Sequence, residues 1–174
     1  MPVRFGLGGF MSRKRQVYKI LKDMHIRYSV VGHPAALTTQ KADSYIARKK
    51  AVRTKTLFLT NRNNTIFYLL VMDAAKCMNF KKLAKLLGDK RIRFASDDEL
   101  KEKMRLPPGV VSIFGLLNNP EKDIRLYLDK DLLEEKIITF HPNDKTKTIF
   151  ISKEDMIQFT INLGYNYGVI RIPC

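Results

Sequence analysis

Apolar and polar positions along the chain change period several times, and each change marks an element. Between Ser12 and His25 the apolar residues Val17, Ile20, Leu21 and Met24 recur at helical spacing, with Ser12 as a candidate N-cap. Arg27–Val31 reads as a short strand closed by Gly32-His33-Pro34. Thr38 or Thr39 can cap a second helix through about Arg48, with Ala42, Tyr45 and Ile46 on its inner face. Thr56–Thr60 and Thr65–Met72 are strand-type runs. The turn formers Asn61-Arg62-Asn63-Asn64 lie between them, so a hairpin is expected. Phe80–Leu87 returns to the helical period and stops at Gly88. Ser96 followed by Glu99 matches a capping box and opens a helix to about Met104, which Pro107-Pro108-Gly109 ends. Strand-type runs follow at Val110–Phe114, Ile124–Leu128, Lys136–Phe140 and Lys147–Ile151. Ser152 caps a last helix from Lys153 to about Leu163, stopped by Gly164, and the apolar tail Tyr165–Cys174 packs down. Helices and strands do not alternate strictly. The order therefore predicts an α+β domain, with a mixed or antiparallel sheet core surrounded by helices. Residues 1–11 hold Gly6, Gly8 and Gly9 without periodicity and read as a flexible leader, leaving 12–174 as one domain.

Charge narrows the choice of partner. The chain has 174 residues with 32 Lys+Arg against 17 Asp+Glu, a net charge of +15. Residues 1–55 carry thirteen Lys/Arg against only Asp23 and Asp43, a net +11, while residues 56–174 carry 19 against 15, a net +4. The densest pieces are Arg13-Lys14-Arg15 and the run Arg48, Lys49, Lys50, Arg53, Lys55. Clustered cations attract phosphates and gain affinity by counterion release, although such charge also serves as ordinary solvated surface. A hydrophobic content of 45% excludes a disordered basic tail as the main content. No apolar run approaches the roughly 18 residues of a membrane span. The start of the chain lacks the apolar stretch and cleavage site of a secretory signal. Cys77 and Cys174 make no disulfide framework and have no metal-ligand spacing around them. These features predict a cytoplasmic protein of a reducing compartment, with a polyanionic partner and neither metal nor cofactor.

Local chemistry excludes several enzyme classes. There is no GxSxG elbow, HExxH, CxxC or phosphate-binding glycine loop of the P-loop type. Cys77, in the Lys76–Asn79 connector, reads as a small apolar residue rather than a nucleophile. Three segments are not explained by local structure alone. In Arg53–Leu59, Lys55 stands at the mouth of an apolar strand, either as a rim charge or as a phosphate clamp on a rigid element. In Pro108–Asn118, Gly109 and Gly115 flank an apolar stretch. That stretch is either a strand with a bulge or a loop whose backbone approaches a ligand closely. Phe140–Thr146 reads as a turn between strands and carries His141 and Asn143.

These segments stand in an order that resembles the YbaK/prolyl-tRNA-synthetase-associated editing domains, and most of all their free-standing prolyl-tRNA deacylases. The marks are Lys55 before Leu57-Phe58-Leu59, then Leu83-Ala84-Lys85-Leu86-Leu87-Gly88 and Arg91–Ser96. The glycine loop into Phe114–Asn118, Leu128–Leu133 and Phe140–Asp144 complete them. The resemblance spans about Arg13 to Leu163. It implies a single α+β editing domain over 12–174 that hydrolyses the ester between an amino acid and the terminal adenosine of a mischarged tRNA, alanine on proline tRNA above all. Such a labile ester needs placement, a small pocket and a positioned water rather than a protein nucleophile. It implies Lys55 and Gly109 as the essential residues, Lys55 on the terminal nucleotide and the Gly109 backbone on the aminoacyl group. Ser112, Ile113, Phe114, Gly115, His141 and Asn143 would line the substrate site, and Arg48, Lys49, Lys50 and Arg53 would contact tRNA phosphates. Prolyl-tRNA synthetase is a partner the resemblance brings into view. The family's usual proline four residues after the glycine is Ile113 here, and its usual asparagine after the lysine is Thr56. Cys-, Ser- or Thr-tRNA therefore stay open as substrates, as does a tRNA-binding module without catalysis.

Overall fold

Among the described residues, eight strands join one mixed sheet in the order β1-β7-β6-β2-β3-β5-β8, with β4 added to β2 off that path. The strands are β1 (Tyr28–Gly32), β2 (Val52–Asn61), β3 (Phe67–Asp73), β4 (Ile92–Phe94), β5 (Ile124–Asp129), β6 (Ile137–Phe140), β7 (Lys147–Ser152) and β8 (Tyr167–Ile170). The helices are α1 (Arg13–Asp23), α2 (Phe80–Leu87), α3 (Asp97–Met104) and α4 (Lys153–Asn162), with 3₁₀ turns η1 (Ile113–Asn118) and η2 (Lys130–Glu134). The structure is a computed structural model, and it describes residues 13–32, 47–144 and 146–174. The leader 1–11, the cap Ser12 and the helix expected from Thr38 or Thr39 across Ala42, Tyr45 and Ile46 lie outside the described residues.

β3 explains why the domain has two cores. Its run of apolar residues is buried on both faces, as expected of a central strand covered on both sides. Phe67, Leu69 and Val71 face one cluster with Phe58, Val17, Met104, Phe114 and Phe159. Tyr68, Leu70 and Met72 face the other with Leu59, Leu83, Ala84, Ile92 and Ile172. The alternation assigns α1, α3, η1 and α4 to the first face and α2 to the second.

Local signals account for most element ends. Asn61 Oδ1 accepts the N–H groups of Thr65 and Ile66 and closes the β2–β3 hairpin. Ser96 Oγ accepts from Glu99 N while the Glu99 carboxylate accepts from Ser96 N, a complete capping box. Gly88 ends α2 with φ 75°, a left-handed conformation that glycine adopts without steric cost.

Two expectations are corrected, and one strand is added. Val110–Phe114 is not a strand. Ser112 Oγ accepts from Phe114 N and starts η1 there instead. The three-residue β4 is held by pairing with Leu59–Asn61 of β2, which no local period announces. Cys77 is exposed rather than a buried apolar filler, and it is bonded to Cys174, with Cα atoms 5.2 Å apart. The cause is the path of the tail. β8 runs parallel to β5, after which Ile172 N donates to Asp129 Oδ1 at 3.2 Å and Asn79 N donates to Pro173 O at 2.9 Å.

Asp129 is fully buried at the end of β5 and also receives the Lys76 ammonium at 2.7 Å. Removing one member of a buried ionic pair costs about 3–5 kcal/mol, because the other is left uncompensated. Lys76 keeps Asp131 at 2.8 Å, so Asp129→Ala is expected to lose less than that, about 1–3 kcal/mol in urea unfolding, and Asp129→Asn, which keeps an acceptor for Ile172 N, clearly less.

Candidate active site

β2 changes partner along one edge. Val52 and Arg53 pair in parallel with Ile138 and Thr139 of β6, and Leu59–Asn61 pair antiparallel with β4. Between these ladders, among the described residues, no strand lies beside Thr54–Leu57 on that edge. A sheet that divides in this way leaves a crevice beyond the ends of its parallel strands, a recurrent place for ligands. Thr54 Oγ1 donates to Thr139 O, and Thr139 Oγ1 donates to Val52 O at 3.1 Å, so the two strands are stitched just before they part. Lys55 and His141 each follow the Arg53–Thr139 pair by two residues, in the same chain direction.

Lys55 is half-buried in the opening. Its ammonium donates to the Lys76 carbonyl at 2.5 Å, using one of its three N–H donors. Lys76 is itself fixed, its ammonium lying 2.7 Å from Asp129 and 2.8 Å from Asp131. Burial works against the Lys76 charge, but the hydrogen bonds to the two carboxylates outweigh it, and the Lys76 pKa is raised. The Lys76 bond holds the Asp131 carboxyl below its ordinary range. Sequence reasoning missed this support. Asp129 and Asp131 lie within the Leu128–Leu133 motif, but nothing local pairs them with a lysine more than fifty positions earlier.

The glycine loop and the His141 turn meet. Pro108 and Gly109 form an exposed turn with Gly109 at φ 88°, the conformation that the third residue of a type II turn requires. Ser112 is buried, accepts from Phe114 N and donates to Asn143 Oδ1 at 3.2 Å. With its oxygen committed in this way, the Asn143 amide is oriented and Nδ2 is the group left over. Asn143 is 9% exposed, and its Nδ2 is the buried side-chain polar atom without a hydrogen-bond partner among the described residues. An orphaned buried donor costs about 1–3 kcal/mol, which a ligand acceptor would recover. Asn143 sits at φ 56°, a left-handed position that asparagine tolerates, behind a bond from its own N–H to His141 O. His141 Nδ1 is 2.8 Å from Lys147 O, which fixes the ring.

The other expected site residues divide. Ile113 and Phe114 are wholly buried, Phe114 stacking edge-on against Phe140 and Phe159 at 5.8 and 5.2 Å. Their side chains form the wall behind the site, so only their backbone is left to face a substrate. Gly115 is buried too, and a methyl there would overlap Met104 Cε and come within 2.8 Å of Leu106 Cδ1. Its smallness serves packing against α3. Ile113 occupies the first position of η1, where the fixed φ of proline would also fit. Thr56, paired with Val71, points to the face opposite Lys55.

The basic run divides by exposure. Arg48 and Lys50 are exposed. Lys49 is half-buried, its ammonium donating to Ser29 Oγ at 2.9 Å and lying 5.7 Å from the centre of the Phe150 ring. Arg53 is half-buried on β2. Among the described residues no three His, Cys, Asp or Glu side chains gather into a metal-binding set, and no helix is long and apolar enough to cross a membrane.

Comparison with known proteins places this arrangement. The family model for the aminoacyl-tRNA editing domain matches residues 33–159. The prolyl-tRNA editing protein ProX of Acetoanaerobium sticklandii is 28% identical over 162 residues, covering 93% of this chain and 99% of its own. The prolyl-tRNA synthetase associated domain-containing protein 1 of Bos taurus is 30% identical over 151 residues, covering 84% and 87%. A solved structure described as a candidate trans-editing enzyme for prolyl-tRNA synthetase superposes with a TM-score of 0.69 at 20% identity, covering 95% of this chain and 99% of that one. At that identity the likeness is one of fold.

The two loop glycines should respond differently to a methyl group. Gly115→Ala is expected to lose about 1–3 kcal/mol by overpacking. Gly109→Ala should lose roughly 1 kcal/mol through its positive φ alone. Urea unfolding of the two variants measures the difference, and equal losses would show that Gly115 is not packed as described.

Proposed function

The chain belongs to the aminoacyl-tRNA editing domain family, and from that premise we propose that it is a trans-editing hydrolase that deacylates mischarged proline tRNA, alanyl-tRNA(Pro) above all. The observation that carries the reading is the orphaned Asn143 Nδ2. It is a buried, oriented donor beside the glycine loop, as the carbonyl of a bound ester would need.

Each group then has a role. Lys55, braced by the Lys76 carbonyl, holds the terminal nucleotide of the tRNA through its remaining donors. The Gly109 turn presents its backbone to the amino acid, and the backbone of Ser112–Gly115 closes the pocket over a rigid apolar wall. Water adds to the ester carbonyl carbon. Negative charge gathers on the carbonyl oxygen, where Asn143 Nδ2 donates. The acyl C–O bond then breaks, the ribose oxygen takes the proton, and free amino acid leaves. Placement supplies most of the acceleration of so labile an ester.

Alanine is the substrate the family resemblance implies, and selectivity for it over proline would be steric. A methyl-sized pocket rejects a larger ring, whereas a large pocket rejects a smaller group by only about 1–3 kcal/mol. Arg48 and Lys50 are the exposed members of the basic run and would meet tRNA phosphates, with Lys49 and Arg53 setting the geometry beneath them. The setting is cytoplasmic, beside tRNA charging and prolyl-tRNA synthetase. The Cys77–Cys174 bond ties the tail to the connector before α2, alongside the bonds from Ile172 N to Asp129 and from Asn79 N to Pro173 O.

A panel of Ala-, Pro-, Cys-, Ser- and Thr-tRNA tests the reading. Purified protein should deacylate Ala-tRNA(Pro) and spare Pro-tRNA. A preference for another aminoacyl group would overturn the alanine assignment, and tight tRNA binding without hydrolysis would overturn the enzyme. Lys55→Ala is expected to lower kcat/KM by about tenfold to a hundredfold, the scale of one charge-assisted hydrogen bond to the substrate. Asn143→Gly keeps the left-handed backbone and removes the donor. It should lower kcat by about tenfold or more, and the unfolding midpoint should fall as well, because buried Ser112 Oγ loses its acceptor.

A further inference from the structure

α2 and β4 enclose a groove of about 390 Å³ lined by Phe80, Lys81, Ala84, Lys90, Arg91 and Phe94, with Ile92 and Arg93. Its floor is apolar, since Ala84 and Ile92 are buried. Its wall is a pair of aromatic rings, Phe80 and Phe94, edge to face at 5.2 Å. Phe94 remains 54% exposed, a large apolar surface held open to water. The rim is cationic. Lys81, Lys90 and Arg91 are exposed, while Arg93 is paired with Glu99 at 3.0 Å. Two of the acids nearby are engaged, Asp89 accepting from the Tyr68 hydroxyl and Glu99 held by Arg93 and the Ser96 cap, while Asp97 and Asp98 are exposed at the start of α3. The core accounts for the floor. It accounts for neither the exposed ring nor the collar of cations.

Position relative to Lys55 suggests the occupant. Phe94 is the cross-strand partner of Leu59, and Leu59 shares a face of β2 with Leu57 and Lys55. The groove and the lysine therefore lie on one side of the sheet, four residues apart along the strand, or about 13 Å at the usual rise. We propose that this groove is a second nucleic-acid subsite, in which Phe94 stacks an unpaired base of the single-stranded 3′ end of the tRNA while Lys81, Lys90 and Arg91 hold the flanking phosphates. An aromatic face beside a cationic track is how proteins hold single strands without reading their sequence. The proposal rests on the editing reading for the identity of the strand, and it gives the enzyme a hold on its substrate a few nucleotides upstream of the ester.

The test compares two esters and one oligonucleotide on the full chain. Phe94→Ala should lower kcat/KM for Ala-tRNA(Pro) by about tenfold, the value of one stacked base, chiefly through KM. The loss on alanine esterified to a lone adenosine should be several-fold smaller, and Phe94→Trp should restore the tRNA rate. Lys90→Ala with Arg91→Ala should weaken binding of a single-stranded RNA oligonucleotide and flatten its salt dependence by about 0.7 in slope for each phosphate no longer neutralised. Equal losses on both esters, or unchanged RNA affinity in both variants, would overturn the proposal. A change from dimer to monomer in Phe94→Ala with RNA affinity intact would also overturn it, by assigning the groove to association between copies. If the wild type hydrolyses no ester, the editing reading fails by itself. The oligonucleotide measurement then still decides the groove.

Discussion

Asp129 is the point on which the site depends. It ends β5 inside the protein, without exposure, and a charge in that position must be compensated. Two groups distant in sequence do so, the Lys76 ammonium and the N–H of Ile172. The first pins the connector between β3 and α2, and the second pins the tail after β8. The carbonyl of the pinned Lys76 then receives Lys55. A buried carboxylate at the end of β5 thereby fixes the Lys55 ammonium through the Lys76 connector. The arrangement supports a functional lysine on rigid elements rather than on a loop.

The second constraint is the division of the sheet at β2. One edge of that strand serves β6 first and β4 later, and neither covers the middle. The chain leaving β6 enters the His141 turn, whose Asn143 is tied to Ser112 at the start of η1. A strand, a turn and a capped 3₁₀ segment thus converge through backbone pairing and one side-chain bond. They leave one buried side-chain donor, Asn143 Nδ2, unsatisfied among the described residues.

Charge and apolar shape divide the work of recognition. The net +11 of residues 1–55 sets a field that draws in a polyanion, but the structure uses part of it locally, Lys49 on Ser29 and Phe150. The cations around Phe94 come from the nearly balanced remainder of the chain. They matter because folding gathers α2, the Lys90-Arg91 turn and β4 around two rings.

Elements fixed by short-range chemistry were legible in the sequence. The capping box of Ser96 and Glu99, the stop at Gly88 and the Asn61 turn depend on residues within a few positions of one another. The ordered motifs from Lys55 to Asp144 pointed to the editing family for the same reason, since each is a contiguous string. The strand assigned to Val110–Phe114 failed because its apolar residues serve a 3₁₀ turn whose bonds are set by Ser112, and a short apolar run does not declare its period. Cys77 and Cys174, 97 positions apart, gave no sign of meeting. What the sequence determined by itself was the local conformation and the family. What only the tertiary structure decided was their company: Lys76 and Asp129 behind Lys55, Ser112 beside Asn143, Phe94 opposite Leu59. Those pairs join residues far apart in the chain, and burial and strand pairing, which no local pattern encodes, are what bring them together.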